Sequence, residues 1–188
     1  VLNEGESIRA LLRALEAQIR QPDEVIFVDG GSRDNTVAVL REYATRLPLR
    51  VIVEPGANIS RGRNVAIAAA TGAIIASCDA GVRLEPPWLA ELVGPIEAGR
   101  AEVTAGFFVS DPRSTFEIAL GATTLPDAED VNPATFLPSS RSVAFTRDAW
   151  ERAGKYPEWL DYCEDLIFDL RLRDEVGTFA WAPEAIAH

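Results

Sequence analysis

The sequence predicts an α/β fold, a mostly parallel sheet with helices on both faces. Three observations predict it. Short apolar runs rich in β-branched residues alternate with segments of helical periodicity, a pattern that places helices over both faces of a largely parallel sheet. Two of those runs, one ending at Asp29 and one at Asp79, stop on an acid at equivalent points of the alternation. The chain is 47% hydrophobic over 188 residues, which is enough to bury one sizeable core in one domain.

The elements follow in order. Ile8, Leu11, Leu12, Leu15 and Ile19 recur at helical spacing before Pro22, so the chain opens with a helix. Residues 24–29 form a buried strand with Asp29 at its carboxyl end. Ser32, Asp34 or Asn35 can each cap a helix that starts near Thr36 and turns Val37, Leu40, Ala44 and Leu47 inward. Residues 50–54 make a short strand stopped by Pro55-Gly56, and the alanine-rich stretch 60–70 a helix ending at Gly72. Residues 73–78 are the next buried strand. Residues 86–98 are a helix with prolines in its first turn and Trp88, Leu89, Leu92 and Val93 as its buried stripe.

Beyond a strand at 102–109 the periodicity fails. Residues 111–140 hold four prolines and no apolar repeat, and read as a long irregular excursion, either a solvated surface loop or a lid over substrate. Order returns with a strand at 142–145, a short helix at 147–153 and a Gly-Lys-Tyr-Pro turn. Glu164-Asp165 then stand at the start of a helix carrying Leu166, Ile167, Leu170 and Leu172, where negative charge is stabilised. Asp169, Arg171, Arg173 and Asp174 read as its solvated face. A last strand at 178–182 leads to Glu184 and His188.

Composition narrows the function. Eighteen basic against 29 acidic residues give a net charge of −11, and no basic run of the kind that binds nucleic acid is present. An anionic ligand would therefore need local help from arginines, helix N-termini or a metal ion. Cys78 and Cys163 are too few for a disulfide scaffold and lack metal-ligand spacing, so a reducing, cytoplasmic compartment is expected. The chain has no methionine and opens on Val1-Leu2-Asn3-Glu4, so further residues are expected at both ends, with room there for association with the inner face of a membrane.

The first loop carries the densest chemistry. Val28-Asp29-Gly30-Gly31-Ser32-Arg33-Asp34-Asn35-Thr36 joins a strand to an acid, two glycines free of side-chain restriction and a cluster of capping residues. A strand–turn–helix corner without any ligand explains much of it. Asp79 at the matching strand end is the second signal, because open α/β sheets bind ligands at the carboxyl edge of their strands.

Five separated pieces together resemble the inverting family-2 glycosyltransferases of the GT-A fold, a Rossmann-like sheet. They are Leu2-Asn3-Glu4, the Asp29 loop, Arg61-Gly62-Arg63-Asn64 before an alanine helix, Cys78-Asp79-Ala80-Gly81, and Glu164-Asp165 after Gly-Lys-Tyr-Pro. The resemblance implies one catalytic domain over 1–188, with a nucleotide-binding half at about 1–110 and an acceptor-side half at about 111–188. Leu2, Glu4, Asp29, Asp79 and Arg61 or Arg63 would hold a nucleotide-diphosphate sugar. For the two arginines a helix-start surface role stands beside that reading. Asp165 would be the general base and Glu164 an orienting or acceptor-binding acid, with a helix-capping pair as the plain alternative. The acceptor would be a hydroxyl of a saccharide, lipid or small molecule.

The resemblance also implies a divalent metal, Mn or Mg, on the Asp-x-Asp element. Gly81 stands where the second acid belongs, which leaves Asp79 with His188 as the candidate ligands. Other readings are a nucleotidyltransferase on a similar sheet, which would want a glycine-rich first loop with a lysine, and a donor-binding module without turnover. A dinucleotide oxidoreductase lacks its Gly-x-Gly-x-x-Gly spacing here.

Overall fold

The computed structural model describes residues 1–112 and 114–188, with every side chain among them except that of Thr124. Helix α1, Ile8–Glu16, buries Ile8, Leu11, Leu12 and Leu15. It stops a turn before the expected end because Gln18 is taken up elsewhere. Its amide donates to the carbonyls of Ala14 and Glu85 and its oxygen accepts from Leu89 N–H, so Ile19 is left exposed.

Strand β1, Val25–Asp29, pairs in parallel with β2, Leu49–Val53. Between them α2, Thr36–Tyr43, faces inward through Thr36, Val39, Leu40 and Tyr43. That face is rotated from the expected Val37–Ala44 line, because the Thr36 hydroxyl is needed inside. It accepts from Gly5 N–H and donates to Asp34. Helix α3, Ile59–Ala69, is capped by Asn58, whose side-chain oxygen accepts from Arg61 N–H. Then come β3, Ile74–Ser77, and α4, Trp88–Glu97, which buries Trp88, Leu89, Leu92, Val93 and Ile96.

After β4, Val103–Phe108, the stretch expected to be irregular contains α5, Thr115–Thr124. Its Phe116, Ile118 and Leu120 are exposed, so no buried stripe announced it. The signal it does carry is Ser114-Thr-Phe-Glu117, the spacing of a helix start, with the Ser114 hydroxyl accepting from Glu117 N–H. The chain ends with β5, Val143–Thr146, α6, Arg147–Arg152, α7, Glu164–Val176, and β6, Ala180–Ala187, longer than expected.

The α/β class holds, but the strand directions are mixed instead of mostly parallel. β1 and β2 form one sheet and β3-β5-β4-β6 another, in which β5 runs antiparallel to both neighbours while β4 and β6 are parallel. The excursion that carries α5 returns the chain to the far end of the sheet, and β5 enters between β3 and β4 in reverse. Strands from both halves of the chain thus share one sheet. Helices cover both faces. One core packs α1, α2 and α4, and the other packs Ile67 of α3 with Trp150, Tyr156, Phe168 and Leu172.

Gly106 marks the tightest crossing. A Cβ there would lie 2.8 Å from the Ala185 carbonyl and 2.0 Å from the Ser142 hydroxyl, which itself donates to that carbonyl and accepts from the Trp88 indole. Between β1 and β3 runs a cleft of about 950 Å³. Among the described residues no helix is long and apolar enough to cross a membrane.

Candidate active site

Two corners meet at the carboxyl edge of β1 and β3. The first is the Asp29 loop. Asp29 is buried, and its carboxylate accepts from Gly31 N–H (3.0 Å), Ser32 N–H (2.9 Å) and the Ser32 hydroxyl (2.5 Å). Gly31 sits at φ +100°, a conformation side chains resist. The Leu2-Asn3-Glu4 piece is laced onto this loop. Asn3 N–H donates to Ser32, the Asn3 side chain accepts from Arg33 N–H, and Gly30 N–H donates to the Val1 carbonyl. Asp29 therefore shapes its own loop and does not border the cleft, whereas Leu2 and Glu4 do.

The second corner centres on Arg63. This guanidinium is mostly buried and bridges two acids, donating to Asp79 Oδ1 at 2.7 Å and Glu164 Oε1 at 2.6 Å, while lying 5.2 Å over the Tyr156 ring. Through it the end of β3 is joined to the start of α7, 85 residues further along the chain. Arg141 stands 3.6 Å from the other Asp79 oxygen. Arg61, by contrast, is half exposed and pairs with Glu54 and Glu158.

The path into α7 is fixed by Asn64, to which sequence reading gave no role of its own. Its amide donates to the Tyr156 carbonyl and to Glu158, and its oxygen accepts from Tyr156 N–H and the Trp150 indole. Cys163 then turns the chain at φ +57°, a left-handed conformation uncommon outside glycine and asparagine. The turn buries Glu164 against Arg63 and leaves Asp165 half-buried at the helix start, its carboxylate accepting from Leu166 N–H.

Asp169, expected on a solvated face, lies one turn further on and is 1% exposed, with no hydrogen-bond partner for either oxygen. Burial pushes its carboxyl well above the usual carboxylate range; Asp165 adds to this and Arg63 opposes it. The position follows from Asp169 sharing the buried face of α7 with Phe168 and Leu172, while Leu166 and Leu170 are exposed. Tyr156 completes the corner, stacked on Phe168 at 4.0 Å, its hydroxyl paired with Ser140. Burial raises its phenol.

His188 is engaged apart from Asp79. Its Nε2 lies 2.9 Å from Glu85, and its backbone pairs in both directions with Arg83. Its Nδ1 is buried without a partner. Among the described residues no three His, Cys, Asp or Glu side chains converge as a metal's ligands. Asp79 faces two arginines, and Gly81 supplies nothing. These residues, as arranged, do not fit a divalent metal.

What the arrangement can do is hold one half-exposed carboxylate, Asp165, beside a cation that ties two strand-edge and helix-start acids together. Comparison with known proteins places the chain. Glycosyltransferase AglE of Haloferax volcanii is 27% identical over 199 residues, covering 99% of this chain and 63% of that one. The crystal structure of S. aureus TarS 1-349 in complex with UDP-GlcNAc superposes with a TM-score of 0.74 at 21% identity, covering 96% of this chain and 53% of its own. Mannosyltransferase PcManGT from Pyrobaculum calidifontis, in complex with GDP-Man and Mn2+, gives 0.77 at 21% identity, covering 100% and 54%. The chain thus spans between half and two thirds of the length of these relatives. The structural likeness carries the fold, that of GT-A glycosyltransferases. A model of the family described as Glycosyl transferase family 2 matches residues 1–149, and the chain belongs to that family.

Proposed function

We propose that this chain carries the active site of an inverting glycosyltransferase that uses a nucleotide-diphosphate sugar, with Asp165 as general base. The carrying observation is the Arg63 bridge, which brings Asp79 and the Glu164-Asp165 pair to one place although 85 residues separate them in the chain. The relatives support the donor class. TarS and PcManGT hold UDP-GlcNAc and GDP-Man in the structures compared above.

In the proposed step an acceptor hydroxyl oxygen attacks the anomeric carbon as the bond to the diphosphate breaks on the opposite face. The hydroxyl proton passes to the Asp165 carboxylate, and the nucleoside diphosphate leaves with the bonding pair. A positioned base of this kind is worth about 10²- to 10⁴-fold. Glu164, held by Arg63, fixes the start of α7 and so the aim of Asp165. Leu2 and Glu4 border the donor side. Arg141 and Arg63 supply positive charge near Asp79.

Trp159 and Tyr162, 73% and 84% exposed on the turn before the acid pair, present flat apolar faces with a polar rim, suited to the ring of a saccharide acceptor. The decisive experiment is Asp165→Asn. Transfer from UDP- and GDP-sugars should fall about 10²- to 10⁴-fold, while nucleotide still raises the melting temperature, with or without manganese. Unchanged transfer would remove Asp165 from the chemistry. Binding without turnover in the unsubstituted protein would leave only a donor-binding module.

A further inference from the structure

A nucleotide diphosphate meets an acidic chain here and needs a local counter-charge. The net charge is −11, and Gly81 stands two positions after Asp79, where a second acid would be needed to share a divalent cation. The gap is chemical and not steric, since a Cβ on Gly81 would meet nothing within 4 Å. His188 does not fill it, because its Nε2 is engaged with Glu85 at 2.9 Å.

Two guanidinium groups face Asp79 instead, Arg63 donating to Oδ1 at 2.7 Å and Arg141 Nε standing 3.6 Å from Oδ2. They differ in how firmly they are held. The Arg63 side chain is 14% exposed and is hydrogen-bonded to Glu164 as well, so it is committed to the protein's own acids. The Arg141 side chain is 44% exposed, its contact with Asp79 is longer than a hydrogen bond, and among the described residues it has no second ion pair. Its fork of N–H donors is free for a ligand.

The chain builds Arg141 into this position. Residues 139–142 form a turn closed by Ser142 N–H on the Ser139 carbonyl at 2.9 Å. The serines on either side of Arg141 are buried and anchored, the Ser140 hydroxyl 2.9 Å from the Tyr156 hydroxyl and the Ser142 hydroxyl donating to the Ala185 carbonyl at 2.8 Å. Arg141 is left at the surface between them, its guanidinium 4.7 Å over the Phe108 ring. A guanidinium held over a ring keeps its N–H edge available, and that edge matches two phosphate oxygens at once. The sheet supplies the rest of the placement. Because β5 runs antiparallel to β3 and β4, its amino end, which Arg141 precedes, lies with their carboxyl ends, and Asp79 borders the same cleft as Leu2 and Glu4.

We propose that Arg141 binds the diphosphate of the donor in place of a divalent metal. This rests on the nucleotide-diphosphate sugar reading given above. As the anomeric C–O bond breaks, the bonding pair stays on the diphosphate oxygen and the Arg141 N–H groups stabilise that charge. The guanidinium stays protonated, so no proton moves with the pair.

Calorimetric titration with UDP, GDP and dTDP, and with the corresponding nucleosides, tests this in EDTA and again with manganese. At least one diphosphate should bind in EDTA more tightly than its nucleoside, and manganese should leave its affinity unchanged. Arg141→Ala should weaken that diphosphate about 10- to 100-fold and leave the nucleoside as it was, with Arg141→Lys recovering part of the loss. A diphosphate that binds only with manganese would overturn the proposal and leave the donor reading standing. Equal losses for diphosphate and nucleoside in Arg141→Ala would overturn it too, since Arg141 would then only shape the site. If no diphosphate binds in either condition, the donor reading fails and the proposal falls with it.

Discussion

The Asp29 corner and the Arg63 corner are both built on an acid at the end of a strand, and they solve the problem of that charge in opposite ways. Asp29 spends its oxygens on three donors of its own loop, within three residues. Asp79 reaches across the fold to Arg63 and through it to Glu164, and Asp169 nearby has no partner at all. A carboxylate saturated by local N–H groups stabilises a loop and asks nothing of the rest of the chain. A guanidinium shared by two distant acids makes the position of one depend on the other, as a site that must align two substrates requires. We expect the first corner to fail locally and the second globally.

Arg63→Met gives the largest effect. It keeps most of the stem but leaves Glu164 buried and unpaired, and breaking a buried pair from one side costs about 3–5 kcal/mol. Urea unfolding should show that loss, and adding Glu164→Gln should return much of it, since no buried charge then remains. Additive losses in the double variant would mean that the bridge does not couple the two acids.

The contrast also explains what the sequence disclosed. The Asp29 loop was legible because its chemistry is local: acid, glycines and capping residues stand within nine positions, and the turn is written in their order. The buried stripe of α4 was legible for the same reason. The Arg63 corner is long-range. Nothing in Arg61-Gly62-Arg63-Asn64 says which arginine turns inward, and Asp169 looks solvated because the buried face of α7 mixes it and Glu164 with Phe168 and Leu172 while Leu166 and Leu170 are exposed, which leaves no clean apolar stripe. Helix α5 escaped for the converse reason, since an exposed helix has no apolar periodicity to find and only its Ser114–Glu117 start marks it. The reversal of β5 depends on where the excursion returns, which no local pattern encodes.

Asp29→Asn tests the local corner. The amide presents N–H where the loop offers donors, so one or two of three hydrogen bonds are lost, at about 1–3 kcal/mol. Exchange protection should drop at residues 30–36 and stay unchanged at α7. A drop at α7 would show that the corners are not independent.

Asp169 sharpens the same contrast through pH. Its folded carboxyl is raised above the unfolded value near 3.9. The folded state therefore holds a proton that the unfolded state releases, and stability falls as pH rises from about 4 toward the folded value, by about 1.4 kcal/mol per unit. Asp169→Asn, neutral and similar in shape, should flatten that slope in chemical denaturation between pH 4 and 7. An unchanged slope would mean that the group ionises freely in the folded protein.

The smallest effect belongs to Arg61, the arginine that sequence alone could not separate from Arg63. Its guanidinium pairs with Glu54 and Glu158 at the surface, its side chain half exposed. Pairs of this kind contribute little and are screened by salt. Arg61→Ala should therefore leave the urea midpoint nearly unchanged, and less affected again at high ionic strength. Its effect on nucleotide affinity separates the two arginines most cleanly. If Arg61 serves only Glu54 and Glu158, UDP and GDP bind the variant as they bind the unsubstituted protein. A tenfold loss of affinity at unchanged stability would mean that Arg61 leaves those acids for the donor, and the donor side would then extend past Leu2 and Glu4 to the start of α3.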